Sequence, residues 1–305
     1  MFFLKISFFF TVLTLTTACG TYNVFEALEK EKPKNLKQAA IFLEEGNPAK
    51  AKEVILSQIP QPAQLVLQNS SPEVETFEYS QELATSMVGV ENGGQILSMY
   101  AMAEAQTTNV NALNILVDIA QIDADLKSGA SLMLLDQASD EAAIATFGPA
   151  MPPRCYEDAT EVNSSLDKAI AILLATSILA GFDTEDIENK ARELRASLLK
   201  EDLFNAAIYS QVNVICPVLE FDKDKDRKIS EEEAAAISDE RAEDLYQRIN
   251  EAINFVQAMV DKTPGNENLD KALSRMKSYL EKIDSLDEVL SIGDKIRAFL
   301  VSQSK

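Results

Sequence analysis

The sequence predicts an all-α protein, an irregular stack of antiparallel helical hairpins, on three observations. Apolar residues recur at intervals of three and four over most of the chain from Leu36 onward, the spacing that gathers side chains on one face of a helix. Proline, glycine and asparagine clusters interrupt those runs, so consecutive helices have to fold back on one another. No stretch alternates apolar and polar residues convincingly with the period of a strand. At 305 residues and 46% apolar content the chain is long enough for one large or two ordinary domains, each with a core.

The first element is "MFFLKISFFFTVLTLTTACG", in which Lys5 precedes an apolar run over residues 6–18 that ends in small residues and then Cys19. The run is short of the roughly 20 residues that span a bilayer, so a cleaved export signal is expected rather than a permanent membrane helix. The residues "LTTAC" resemble the lipobox of bacterial lipoproteins, in which a small residue precedes a cysteine that is lipidated and becomes the first residue after cleavage. That family usually carries leucine three places before the cysteine. Here Thr16 holds that place and Leu15 stands one earlier, so a plain secretory signal ending nearby is the other reading. The resemblance implies a signal peptide over residues 1–18 and a diacylglycerol plus an amide-linked acyl chain on Cys19, at about 0.8 kcal/mol per buried methylene. It also implies an outer-membrane location, because Gly20 rather than aspartate follows the cysteine. The protein would face the periplasm or be displayed at the surface.

Residues 19–35, "GTYNVFEALEKEKPKN" in the main, are polar and charged and read as a tether that sets the body off the membrane. The helical region expected over residues 36–150 opens with "AAIFLEEGNPAKAKEVILSQIPQP". Ala40 and Leu43 lie on its first helix, Gly46 to Pro48 make the turn, and Ala51 and Ile55 lie on its second. Small alanines let paired helices approach closely, and the pattern resembles a tetratricopeptide hairpin over about 25 residues. A second candidate turn near Asn109 lies 62 residues after Asn47. That is no multiple of the family's period of about 34, so irregular hairpins, or an ordinary helical bundle, are expected rather than a regular array.

The second region spans residues 151–305. Residues 166–181, "LDKAIAILLATSILAG", are apolar all round but too short to cross a membrane, which predicts a buried central helix stopped by Gly181. Asp183 or Thr184 is then expected to cap a helix carrying Ile187, Ala191, Leu194 and Leu198 on one face. Leu245, Ile249, Ala252, Val256 and Met259 share a face of the next long helix, and Leu269, Leu273, Met276, Leu280 and Ile283 repeat the spacing. Pro264 and Gly265 break the chain between them, predicting an antiparallel pair. A last helix is expected after Ser285, with Val289, Ile292, Ile296 and Leu300 facing inward. With Cys19 taken by the anchor, Cys155 and Cys216 remain, and in an oxidising compartment they are expected to form a disulfide. Two buried free thiols are the alternative.

The stretch "FDKDKDRKISEEE" carries the one recognisable constellation. Asp222, Asp224 and Asp226 alternate, Ile229 follows, and Glu233 closes the run. The order is similar to an EF-hand calcium loop, whose ligands stand at positions 1, 3, 5, 7, 9 and 12, with an aliphatic residue at 8 and a bidentate glutamate at 12. The resemblance implies Ca2+ bound by Asp222, Asp224 and Asp226, the Lys228 carbonyl, Ser230 and Glu233. The intervening Lys223, Lys225 and Arg227 would point away from the ion. Arg227 departs from the glycine of the family's sixth position and would cost about 1–2 kcal/mol in a left-handed turn. Pro217 requires the entering helix, expected over residues 202–215, to end or kink before the loop, as in bacterial variants that lose the regular entrance. Ser230 with Glu233 is also a capping box, which explains those two residues but neither the alternating aspartates nor Ile229.

Removing residues 1–18, whose only charge is Lys5, takes the net charge from -21 to -22, a field that draws cations and repels nucleic acid. The chain has no histidine, which excludes histidine-based triads and most zinc sites. No glycine-rich phosphate loop appears, and among 49 Asp and Glu nothing singles out a glycosidase pair. No enzyme activity is therefore expected. Fold-level analogy points to a scaffold or binding lipoprotein that presents stacked helices to a protein or peptide partner. The other reading is a transport accessory protein enclosing a small solute.

Overall fold

The computed structural model describes residues 34–68, 76–108, 110, 155, 158–224, 229–287 and 289–304. Among the described residues there are twelve helices and no strand, the all-α hairpin arrangement expected from the periodicity. They are α1 Lys34–Glu44, α2 Pro48–Leu56, α3 Gln61–Gln68, α4 Thr76–Ser86, α5 Gly93–Thr107, α6 Ala159–Leu179, α7 Ala191–Ser197, α8 Lys200–Phe221, α9 Glu231–Ala235, α10 Asp239–Lys262, α11 Glu267–Asp284 and α12 Ile292–Ser304. The segment 1–18, all but the last two tether residues and the turn at Asn109 lie outside the described residues.

α1 and α2 form the hairpin read from "GNP". Gly46 takes φ +69°, a conformation open to glycine without strain, Asn47 caps α2 by accepting from Lys50 N, and Pro48 opens the helix. Leu43, Ala51 and Ile55 are buried and Ala40 is half-buried; Ala39, on the same face, is buried as well. The pair packs on α5.

α6 is the axis of the molecule, with α4, α5, α7 and α8 packed around it. It begins at Ala159, ahead of the expected Leu166, because Asp158 caps it by accepting from Glu161 N at 2.9 Å. Gly181, at φ +102°, stops the chain just beyond it. Among the described residues α6 alone is long and apolar enough to cross a membrane, but 72% of its apolar window is buried inside the protein. Its side chains belong to a core whose members run from Leu36 to Leu269.

Three local expectations are corrected. The helix expected from Asp183 starts only at Ala191. Asp183 caps a turn instead, accepting from Glu185 N at 3.0 Å and pairing with Lys190, and Asp186 at φ +59° bonded to Asn189 breaks helical continuity. Leu194 and Leu198 still bury, while Ile187 and Ala191 are only half-buried. The last helix starts at Ile292, where Ser291 and Asp294 form a capping pair: Asp294 N donates to Ser291 Oγ at 3.1 Å and that hydroxyl donates back to Asp294 Oδ2 at 2.8 Å. This late cap leaves Val289 90% and Ile292 45% exposed, whereas Ile296 and Leu300 face inward as expected.

The third correction is α8, which does not end before Pro217 but runs through it to Phe221. A proline inside a helix removes one backbone bond and costs about 3 kcal/mol. Burial on both sides offsets this: Cys216, Pro217 and Phe221 are all buried, and Cys216 is held at disulfide distance from Cys155, with Cα atoms 4.8 Å apart. The cysteine pair read from the sequence is thus brought together.

α8 and α10 join the main core to a second one, built with α9, α11 and α12 around Leu245, Ile249, Val256, Met276 and Ile296. Between the cores Arg248 of α10 grips Asp167 of α6 through two bonds of 3.0 and 3.1 Å, and Asn213 Nδ2 of α8 donates to the same carboxylate at 2.6 Å. α11 folds back on α10 across Gly265, as the Pro264–Gly265 break predicts.

Candidate metal centre

The acidic stretch joins the end of α8 to α9. Because α8 persists through Pro217, its last residue, Phe221, anchors in the second core and delivers Asp222 as the C-cap, only 3% exposed. Arg241, in the first turn of α10, lies over the Phe221 ring at 4.9 Å from its centroid and pairs with Glu220, which fixes the entrance from the other side. On the exit side Ile229 is buried against the same core and sets the chain's return. Ser230 then caps α9 by accepting from Glu233 N at 3.2 Å. Both arms of the loop thus rest on one hydrophobic base, which explains the isoleucine in the motif.

Glu233 reaches back across the loop. Its Oε2 accepts from Ser230 N and Ser230 Oγ, both at 2.9 Å, and its Oε1 accepts from Lys223 N at 2.7 Å and Asp224 N at 3.4 Å. Partial burial alone would push this carboxyl up. The hydrogen bonds from Ser230, Lys223 and Asp224 outweigh that and hold it below the usual glutamate range.

The result is a convergence of three carboxylates. Asp222, Asp224 and Glu233 each offer an oxygen, and these oxygens lie within 4.8 Å of one another. Oxygens bound to one calcium at about 2.3–2.6 Å are separated by at most roughly 5 Å, so the spacing suits a shared hard cation. The donors are all carboxylate oxygen, which favours calcium, magnesium or manganese over thiophilic metals. Of the residues expected as ligands, the structure therefore brings together Asp222, Asp224 and Glu233. Ser230 caps α9, the capping-box role that the sequence also gives it, and Asp226 and Lys228 lie outside the described residues, as does Cys19. Sequence reasoning missed the Glu220–Arg241–Phe221 clamp, in which the acidic loop and α9 separate Arg241 from the adjacent Glu220 and Phe221 and no fixed spacing marks the pairing.

Elsewhere the surface offers an open cleft lined by Glu78, Gln81, Glu82, Thr85, Ile178 and Thr184, polar and acidic in character. No family model, curated protein or solved structure matches the chain.

Proposed function

We propose that this protein is a lipid-anchored helical scaffold of the bacterial outer membrane. Its stacked hairpins hold a protein or peptide partner, and one calcium ion braces its C-terminal bundle. The observation that carries this reading is the meeting of Asp222, Asp224 and Glu233 at the end of an unbroken entrance helix, with Ile229 and Phe221 seated in one core. These residues would hold the ion through carboxylate oxygens, with Asp226, the Lys228 carbonyl and Ser230 completing an EF-hand-type set. Glu233 would exchange its backbone donors for the cation. The role of the ion is structural: it neutralises acidic groups crowded at the junction of α8 and α9 and fixes the angle between them.

The scaffold role is supported by the α1–α2 hairpin, with its turn at Gly46 to Pro48 and its buried Ala39 and Ala51, and by the general tendency of stacked helical hairpins to leave elongated faces free. Membrane attachment is supported by the sequence around Cys19. Cross-linking in the native envelope, with and without chelator, tests the whole reading. A partner captured by the wild type and reduced by chelation is expected, with the protein leaving the membrane fraction in Cys19→Ala. An envelope in which the protein cross-links to nothing, or stays soluble with Cys19 intact, would contradict it.

A further inference from the structure

Cys216 is the residue before Pro217, inside α8. A proline ring crowds the backbone of the residue ahead of it and pushes that residue out of the helical region towards extended geometry. Pro217 also lacks an N–H, which leaves Asn213 O without its ordinary helical donor. Two separate penalties thus fall on one turn of α8, and Cys216 carries one of them. The helix nevertheless continues to Phe221, and Asp222 N closes its last turn by donating to Val218 O at 3.3 Å.

The strained turn is held at both ends. Upstream, Cys216 is buried in the main core, with its Cα 4.8 Å from that of Cys155, a residue 61 places earlier. Downstream, Phe221 is seated in the second core. Five positions separate these anchors, a helical rise of about 7.5 Å. The same stretch extended would reach roughly 17 Å, so anchors fixed at the helical separation keep the chain between them from relaxing.

Taking the acidic loop as the calcium site proposed above, we propose that closing the Cys155–Cys216 disulfide is the step that makes this loop competent. The bond keeps Cys216 helical against Pro217, and Asp222 is thereby delivered to meet Asp224 and Glu233. In the thiol form Cys216 relaxes towards the geometry that Pro217 favours, α8 ends ahead of the proline, and Asp222 loses its place as the C-cap. Closure proceeds by exchange with an external disulfide. One cysteine thiolate displaces a thiolate from that oxidant, the other displaces the second, and the Sγ–Sγ bond forms. Two electrons and two protons go to the oxidant, which departs as two thiols. Both cysteines are buried in the folded chain, which shields the finished bond from reductants. Calcium binding thereby reports that the chain has been oxidised.

Oxidised wild type is compared with Cys155→Ala/Cys216→Ala, both freed of metal. Hydrogen exchange without calcium is expected to show the amides of residues 218–222 losing protection in the variant, roughly tenfold relative to residues 203–212 of the same helix. Calcium affinity, read by calorimetry, is expected to fall roughly tenfold, within the ordinary span of coupling between sites. Adding Pro217→Ala to the variant removes both penalties and should return the affinity to within about twofold of oxidised wild type. Equal affinities with and without the disulfide, a uniform loss of protection along α8, or a weakening that Pro217→Ala does not repair would overturn the proposal and leave the calcium site standing. Oxidised wild type that takes up no calcium would overturn both. Should the variant fail to fold, dithiol-reduced wild type provides the comparison with an unchanged sequence. If that chain also unfolds as a whole, the proposal is overturned, because the disulfide then secures the entire core and not one turn.

Discussion

Glu233→Gln separates the capping role of Glu233 from its proposed role as a calcium ligand. Glutamine serves at the third helical position of a capping box, so its amide oxygen still accepts from Ser230 N and α9 keeps its cap. The amide nitrogen cannot accept, and the bridge to Lys223 N and Asp224 N is lost, at about 1 kcal/mol for groups that regain water. Without divalent ions the variant is thus expected to melt only slightly below wild type. At about 5 mM calcium, a site of the strength typical of extracellular modules, roughly 0.1–1 mM, adds about 1–2 kcal/mol to the wild type. That corresponds to a rise of roughly 2–8 °C for a chain of this size. The variant lacks the bidentate carboxylate and should gain almost nothing. Circular dichroism melts of both proteins with calcium and with chelator give the four values needed. If calcium raises the variant as much as the wild type, Glu233 is a cap and not a ligand.

Other expectations rest on single features. Arg248→Met leaves the half-buried Asp167 carboxylate with only Asn213 to bond it, and should cost about 1–3 kcal/mol by denaturant unfolding, whereas a loss under about 0.5 would show the pair to be ornamental. Ser291→Ala should cost about 1 kcal/mol through the lost cap of α12, while Val289→Ser at its exposed site should stay within about 0.5 kcal/mol, and the reverse ranking would restore the earlier helix start. Replacing Cys155 and Cys216 by serine frees a loop of 61 residues and should lower stability by roughly 4 kcal/mol, read from the urea midpoint. An unchanged midpoint would place no constraint on that pair.

The elements legible in the sequence are those where one local rule dominates. The strict three–four spacing from Leu245 to Met259 needs no tertiary information, and every residue on that face is buried. The "GNP" turn is legible because glycine, asparagine and proline each supply a different piece of the same geometry. Where two local rules compete, the outcome depends on packing that sequence does not display. Pro217 argues for a helix end, but a buried disulfide neighbour and the seating of Phe221 override it. Val289 continues the apolar spacing, but the Ser291–Asp294 cap offers a better start and leaves it in solvent. The same limit applies to the acidic loop. The sequence names Asp222, Asp224 and Glu233 as candidate ligands, while Arg241 and Glu220, which hold the entrance helix in place, are visible only once α8 and α10 pack together.

Calorimetric titration of calcium into the folded, metal-free chain tests the central assignment most directly. One ion per chain is expected, with the heat abolished in Asp222→Asn while the circular dichroism of that variant stays helical. No heat up to about 5 mM calcium, well above the range in which extracellular modules bind, would contradict it.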